Sequence, residues 1–209
     1  MPETRTVYLQ FKKLPQKAYY EYYFFYKAHR LEIAQLDFAE YIEIKHDFIK
    51  ALYFMDEYTS LHKEADLLLE EILNHEKFEE SIRFFYLETI FWKAKAYLNS
   101  NQNKKAILIY KELVKLVPED KKYRRTLFSL LFQQNYLKEK KGLAVVVLLL
   151  LGALFFNAIL IFYIIPFYTE FRTYFEIIRN SFFGIGFLLF LFLQTRHIWN
   201  AFKEIKAPK

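Results

Sequence analysis

An all-α fold, a helical-hairpin array followed by two transmembrane helices, is predicted by three observations. Only 4 Gly and 5 Pro punctuate 209 residues, too few turn-formers for many short strands. From Gln16 to Leu137 apolar residues recur at helical spacing, with Lys and Glu filling the intervals. The chain then closes on two apolar runs, the first of them 23 residues without a charge, Leu143 to Ile165. With 54% hydrophobic and 21% aromatic residues, disorder is excluded and a sizeable core is easily built. The absence of cysteine excludes disulfides, thiolate metal sites and cysteine nucleophiles.

Residues 1–15 read as an N-terminal extended segment, because "TRTVYLQF" alternates weakly between polar and apolar. Residues 16–120 form the helical repeat domain. Its breaks are short and polar: "NSNQN" at Asn99–Asn103, "VPED" at Val117–Asp120, and a third around Asn74 in "NHEKFEE". Within it, "YYEYYFFY" (Tyr19–Tyr26) places seven aromatic residues around a whole helical circumference. Such a helix needs cover on more than one side. Burial between neighbouring helices is the simplest cover, and a partner helix or the membrane interface is the alternative.

Residues 121–141 form a basic capping and juxtamembrane helix. The first transmembrane helix is placed at 142–167, ended by Pro166, and an outward-facing turn at 168–176. The second transmembrane helix is placed at 177–199 and a basic cytoplasmic tail at 200–209. At about 1.5 Å per residue, the 23-residue run covers a hydrocarbon core of about 30 Å. The second run is shorter, Ser181–Leu193, and is extended by Ile177, Ile178, Ile198 and Trp199. Asn157 in the first run and Arg179 beside the second are the intramembrane polar residues, with Arg179 one turn inside the boundary, where it can snorkel outward.

The net charge of +6 is unevenly spread. Residues 1–120 hold 17 Lys/Arg against 20 Asp/Glu, whereas residues 121–141 hold seven basic residues against Glu139 alone. The basic balance therefore belongs to membrane flanks, and a nucleic-acid partner is excluded because the folded domain carries no basic surplus. Arg124, Arg125, Lys138, Lys140, Lys141 and Trp199 are the expected membrane-interface residues, with anionic headgroups as lipid partners. The turn is neutral and both flanks are basic, so both termini are expected in the cytoplasm. No apolar signal-peptide segment opens the chain. The expected location is a plasma membrane, the inner membrane of a bacterium.

The motif that carries most information is "FWKAKAYLNSNQNKKAILIYKELVKLVPED". Ala94, Tyr97, Ala106, Tyr110 and Pro118 follow one another at spacings of 3, 9, 4 and 8. This pattern resembles the tetratricopeptide repeat, a helix–turn–helix unit of about 34 residues. Small Ala94 and Ala106 let two antiparallel helices approach, Tyr97 and Tyr110 fill the space beside them, and Pro118 ends the second helix. The resemblance covers Leu87–Asp120 well and about Asp47–Lys77 less well. Upstream, Ala65 and Leu69 take the second-helix roles, 41 residues before Ala106. Downstream, the pattern falls on Phe128 and Leu131, in a single helix that caps the array. Asn101 and Asn103 depart from the family's turn residues.

The resemblance implies a curved stack that holds a partner peptide or helix, with Glu88, Phe91, Trp92, Lys95 and Asn99 as partner-binding positions. The expected function is a membrane-anchored protein–protein interaction module or scaffold subunit of a membrane complex, its protein partners unspecified. An integral-membrane accessory subunit acting mainly through its two spans is the alternative. No catalytic, cofactor-binding or metal-binding residues are assigned, no cofactor is expected, and the chain is not expected to be an enzyme. A metal-binding helical enzyme is the remote third reading. It would rest on Glu43-x-x-His46, with Glu40 one turn earlier, but a di-iron bundle needs that motif twice. Glu71 and His75 have the wrong spacing for the second copy.

Overall fold

The computed structural model describes residues 2–75, 80–138 and 140–206. Those residues contain helices and no strand. They divide into two compact units, one ending at Arg124 and the other beginning at Arg125.

The first unit opens with α1 (Pro2–Lys12), where an extended segment was expected. The physical reason is the spacing of Val7 and Phe11. They are the buried residues of this stretch and stand four apart, one above the other on a helix face. Helix α2 (Tyr19–Ala28) is the aromatic segment, and the short α3 (Arg30–Ile33) follows. Two long hairpins come next: α4 (Phe38–Phe54) with α5 (Tyr58–Asn74), and α6 (Glu80–Asn99) with α7 (Asn103–Leu116). Helix α2 packs on α4, α4 on α5 and α6, α5 on α6, and α6 on α7. Helix α4 is thus the spine, and it buries Ile42, Ile44, Phe48, Ile49 and Leu52. A fully buried Ile or Leu contributes about 1.5–3 kcal/mol. The break expected around Asn74 falls partly on residues 76–79, which lie outside the described residues.

The two hairpins turn in the same way. Helix α4 ends where Asp56 adopts φ 59°, and α6 ends where Asn101 adopts φ 58°. Each is a left-handed residue with its own pair of backbone bonds. Glu57 N–H donates to the Leu52 carbonyl (2.9 Å) and Asp56 N–H to that of Tyr53 (3.2 Å). Gln102 N–H donates to Tyr97 (2.8 Å) and Asn101 N–H to Leu98 (3.0 Å) in the matching positions. Both are Schellman ends, whose two bonds satisfy carbonyls the helix leaves open. Asp56 and Asn101 are 45 positions apart, and buried positions coincide at the same offset: Ile49 with Ala94, Ala51 with Ala96, Leu61 with Ala106, Ala65 with Tyr110, Leu68 with Leu113. The equivalent of Ala106 is therefore Leu61. The register anchored on Ala65, 41 residues upstream, is replaced by one of 45.

The second unit contains most of α8 (Lys121–Lys138). The start of that helix is fixed by Asp120, whose Oδ1 accepts from Lys122 N–H (2.7 Å) and Tyr123 N–H (3.4 Å), as an N-cap aspartate does. Helix α9 (Lys140–Ile159) continues through a π-helical stretch, Leu160–Ile164, into the short α10 (Ile165–Phe167). Pro166 therefore does not end the helix. It lacks an N–H and crowds the preceding turn, and the wider π turn just before it accommodates both defects. Only Tyr168–Phe171 separates this segment from α11 (Arg172–Lys206), so the turn is shorter than 168–176. At 35 residues, α11 is about 52 Å long. It continues as helix through most of the expected tail; residues 207–209 lie outside the described ones.

Helices α9 and α11 pack as an antiparallel hairpin. Gly152 lies where a Cβ would come within 2.8 Å of the Phe182 ring, and Gly142 and Gly186 face Leu193 and Leu149 in the same way. Gly184 faces open space. Lys140–Phe167 and Thr169–Lys206 are both long and apolar enough to cross a membrane. Near the C-terminal end of α11, Phe202 meets Phe128 (5.1 Å between ring centroids), and His197 lies beside Phe132 and Tyr136. His197 is fully buried there.

Candidate functional site: an aromatic and cationic face on α6

Glu88, Phe91, Trp92, Lys95 and Asn99 fall on one face of α6 by their spacing of three and four. The structure brings three of them together with residues of the first hairpin's turn. Lys95 Nζ lies 4.8 Å from the Tyr53 ring centroid, 4.7 Å from Trp92 and 5.6 Å from Phe91. An ammonium over several π faces is held by the negative potential of the rings. Four residues on, the Asn99 side-chain amide donates to the hydroxyls of both Tyr53 and Tyr58, each at 3.0 Å. Trp92 also meets Tyr53 (5.0 Å) and Phe54 (5.7 Å), and Phe54 stacks on Tyr19 at 3.9 Å. The result is a band of rings, Tyr19–Phe54–Trp92–Tyr53, with Lys95 and Asn99 at one end. Phe54 remains 48% exposed and Asn99 is exposed.

Tyr20 and Phe24 of α2 are 62% and 52% exposed, with ring centroids 4.9 Å apart. Helix α2 is covered by α1 and α4, through Phe11 with Tyr22 and Phe25 and Phe48 with Tyr26, and its outer face stays open. Two of the expected α6 positions are less exposed. Phe91 is buried, packed toward Tyr110 and Tyr123, so it supports the face from beneath. Glu88 is half-buried and lies near Tyr123, whose hydroxyl pKa is pushed up to about 12 by burial and then by Glu88.

Glu43 and His46 are engaged by different helices. Glu43 accepts a hydrogen bond from Tyr8 (2.6 Å) and pairs with Lys12, whereas His46 faces the rings of Phe84 and Phe85. The two side chains serve different neighbours. Among the described residues no three His, Asp or Glu side chains are grouped to hold an ion. A polar cluster inside the first unit has a structural character instead. Lys45, 3% exposed, donates to Tyr41 (2.6 Å) and to both oxygens of Glu71 (3.0 and 3.1 Å). Burial, then the Glu71 carboxylate, raises the Tyr41 pKa, which keeps that phenol neutral beside the ion pair.

In the second unit, Arg179 Nη1 donates to Asn157 Oδ1 (3.0 Å), and Nε and Nη2 both donate to Asn180 Oδ1 (3.1 and 2.9 Å). Asn157 is 14 residues past Leu143 and 8 before Ile165, so the pair lies about 21 Å from one end of the apolar run and about 12 Å from the other. Arg124, Arg125, Lys140 and Lys141 are exposed, and so is Trp199 at 73%. The Lys138 side chain lies outside the described residues.

Tyr19, Tyr53, Phe54 and Tyr58 are site residues that sequence reasoning missed. They come to α6 by packing across helices, which a one-helix periodicity does not register. The repeated turn, "MDE" matched by "SNQ", was the available signal. Comparisons of the chain with protein-family models, with curated proteins and with solved structures each return no match.

Proposed function

We propose that the chain is a membrane-anchored helical scaffold of tetratricopeptide-like design that holds a partner protein on the α6 face. The observation that carries this reading is the convergence of Tyr53, Trp92, Lys95 and Asn99, an ammonium and an amide set in an open band of aromatic rings. Aromatic residues that stay half-exposed in a rigid frame give contact area at low entropic cost, as interface anchors do. Lys95 suits a partner's backbone carbonyl or carboxylate, and Asn99, its two N–H donors engaged by Tyr53 and Tyr58, offers its Oδ1 to a partner's N–H. Two hairpins with the same turn support an array design, at a spacing longer than that of the family resembled. The role is binding rather than catalysis, because the groups that meet here are π faces, an amide and an ammonium.

Helices α9 and α11 are the anchor in this reading. The basic residues Arg124, Arg125, Lys140 and Lys141 before α9, and Arg196, Lys203 and Lys206 near the end of α11, put both flanks on the cytoplasmic side of a plasma membrane. A second reading, an accessory subunit acting through its spans, is favoured by the Asn157–Arg179 pair.

A photo-crosslinking side chain at Asn99, in the full chain in native membranes, tests the first reading. The expected result is a discrete adduct that disappears with Lys95→Glu and Trp92→Ala and persists with Arg179→Leu. An adduct that disappears only with Arg179→Leu would transfer the function to the spans.

A further inference from the structure

The hairpin α9–α11 carries a shallow groove of about 370 Å³. Its polar lining is Asn157, Arg179 and Asn180, and its apolar lining includes Ala153, Leu154 and Phe183. We infer that this groove is the docking site for a transmembrane helix of another integral protein carrying one Asp or Glu at the depth of Asn157.

Charge decides the occupant. A guanidinium has five N–H donors, and three of them are satisfied here by amide oxygens. Those acceptors are neutral, so the cluster keeps its positive charge beside the apolar run of α9, about 12 Å inside the nearer end of that run. The nearest carboxylate along α11, Glu176, is engaged by Arg172 at 2.8 Å. Ionisable groups at such a depth are costly and are retained where they pair. Asn157 and Asn180 hold the planar fork in place, the condition for bidentate recognition of a carboxylate.

Depth argues against a lipid headgroup. The cluster lies about 12 Å inside the nearer end of the apolar run, and lipid phosphates lie outside the hydrocarbon core. A second copy of this chain is disfavoured as well, because it would bring another Arg179 to the same depth. Shape agrees with a helix as the occupant: Ala153 is small and nearly buried between Leu150 and Leu154, which lets a neighbouring helix approach closely. The glycines do not compete for this role, since Gly142, Gly152 and Gly186 are used against the opposite helix of the same hairpin.

The inference rests on the reading that α9 and α11 lie in a bilayer, and one experiment separates the two. The full chain is reconstituted in neutral phosphatidylcholine vesicles and first tested for resistance to alkaline extraction. It is then titrated by energy transfer against synthetic polyleucine transmembrane peptides carrying a single Glu, Gln or no polar residue at the depth of Asn157. A further peptide has its Glu moved by two turns. The Glu peptide at matched depth is expected to associate about tenfold more tightly than the plain peptide. The advantage should disappear with Arg179→Leu, shrink with Arg179→Lys, and be absent for the displaced Glu. Equal association of all peptides by an extraction-resistant chain overturns the inference alone. Loss of the chain on extraction overturns the membrane reading and the inference with it. Energy transfer between copies of the chain that Arg179→Leu abolishes would assign the groove to self-association. An advantage that appears only when anionic lipid is added would assign it to headgroups.

Discussion

The two units are both helical and treat their apolar residues in opposite ways. Residues 2–124 turn Ile, Leu and Ala inward around α4 and close their charges into pairs such as Lys45–Glu71 and Lys93–Asp66. Residues 125–206 turn Leu, Ile and Phe outward. Only 17% of the most apolar window of the first long helix is buried, and 11% of the second. One of their polar contacts, Arg179 with Asn157, lies between the helices. The comparison teaches that the solvent, more than the secondary structure, sets which face a helix hides. In water a helix buries its apolar stripe; in hydrocarbon it has nothing apolar to hide, and small residues and polar pairs hold helices together.

The largest expected effect breaks the water-facing half. Glu71→Ala leaves the Lys45 ammonium buried without its carboxylate. It should destabilise the fragment 1–124 by about 2–4 kcal/mol, somewhat less than the roughly 3–5 kcal/mol for breaking a fully buried pair, because Glu71 is partly exposed. Replacing Lys45 and Glu71 together by Met and Leu should cost much less. Urea titration followed by circular dichroism checks both. A fragment that is unfolded before any substitution would show that the first unit needs the second.

A somewhat smaller effect breaks the other half. Gly152→Ile drives a branched side chain into the Phe182 ring and should cost about 1–3 kcal/mol of hairpin stability. Gly184→Ile, into open space, should be nearly silent. Thermal protease resistance in detergent micelles distinguishes them. Equal sensitivity at the two sites would mean that the helices do not pack in this register.

The matching turns allow a finer test. Asp56 and Asn101 hold left-handed backbone, which costs a residue with a β-carbon about 1 kcal/mol and a β-branched residue more. Asn101→Val should therefore lower stability by about 1–2 kcal/mol, and Asn101→Gly should leave it unchanged or raise it slightly. Asp56 variants should follow the same order. A different ranking at the two sites would refute the 45-residue equivalence.

The smallest effect is a pH dependence confined to the first unit. Burial lowers the pKa of His46 below its ordinary value of 6.5, the neighbouring Asp47 only partly offsetting it. Burial and then Lys93 lower that of His62. Both rings are thus neutral when folded and take up protons first in the unfolded chain. The stability they contribute is complete above pH 6.5 and falls as pH drops below it. Between pH 7 and pH 5.5 the urea midpoint of 1–124 should fall, and His46→Leu should flatten that slope. A slope unchanged by the substitution would remove His46 from the account.

Most of this organisation was legible in the residues, and the failures have identifiable causes. The helices of 16–137 follow from 3.6-residue periodicity, and the first apolar run follows from length and the absence of charge. Helix α1 was missed because "TVYLQF" alternates and also places Val7 and Phe11 four apart, so packing alone decides between the two periods. The repeat was misregistered because alanines were matched to alanines. The conserved feature of the two hairpins is a left-handed turn residue, Asp in one and Asn in the other, with Leu61 in the place of Ala106. On the α6 face, Trp92, Lys95 and Asn99 are positions that the repeat resemblance implies. Tyr53, Phe54 and Tyr58 entered through tertiary packing, to which a local pattern is blind.

The chain has no cysteine, so single cysteines report on the central claim, that the outward apolar surface of the second unit faces lipid, without background. Leu148, Thr173 and Gln102 are each replaced by Cys in the full chain, and modification by a membrane-impermeant maleimide is followed in intact cells, after permeabilisation and after denaturation. Thr173→Cys is expected to react in intact cells, Gln102→Cys only after permeabilisation, and Leu148→Cys only after denaturation. Modification of Leu148→Cys at the rate of Gln102→Cys would contradict the account, because residues 140–206 would then lie in water.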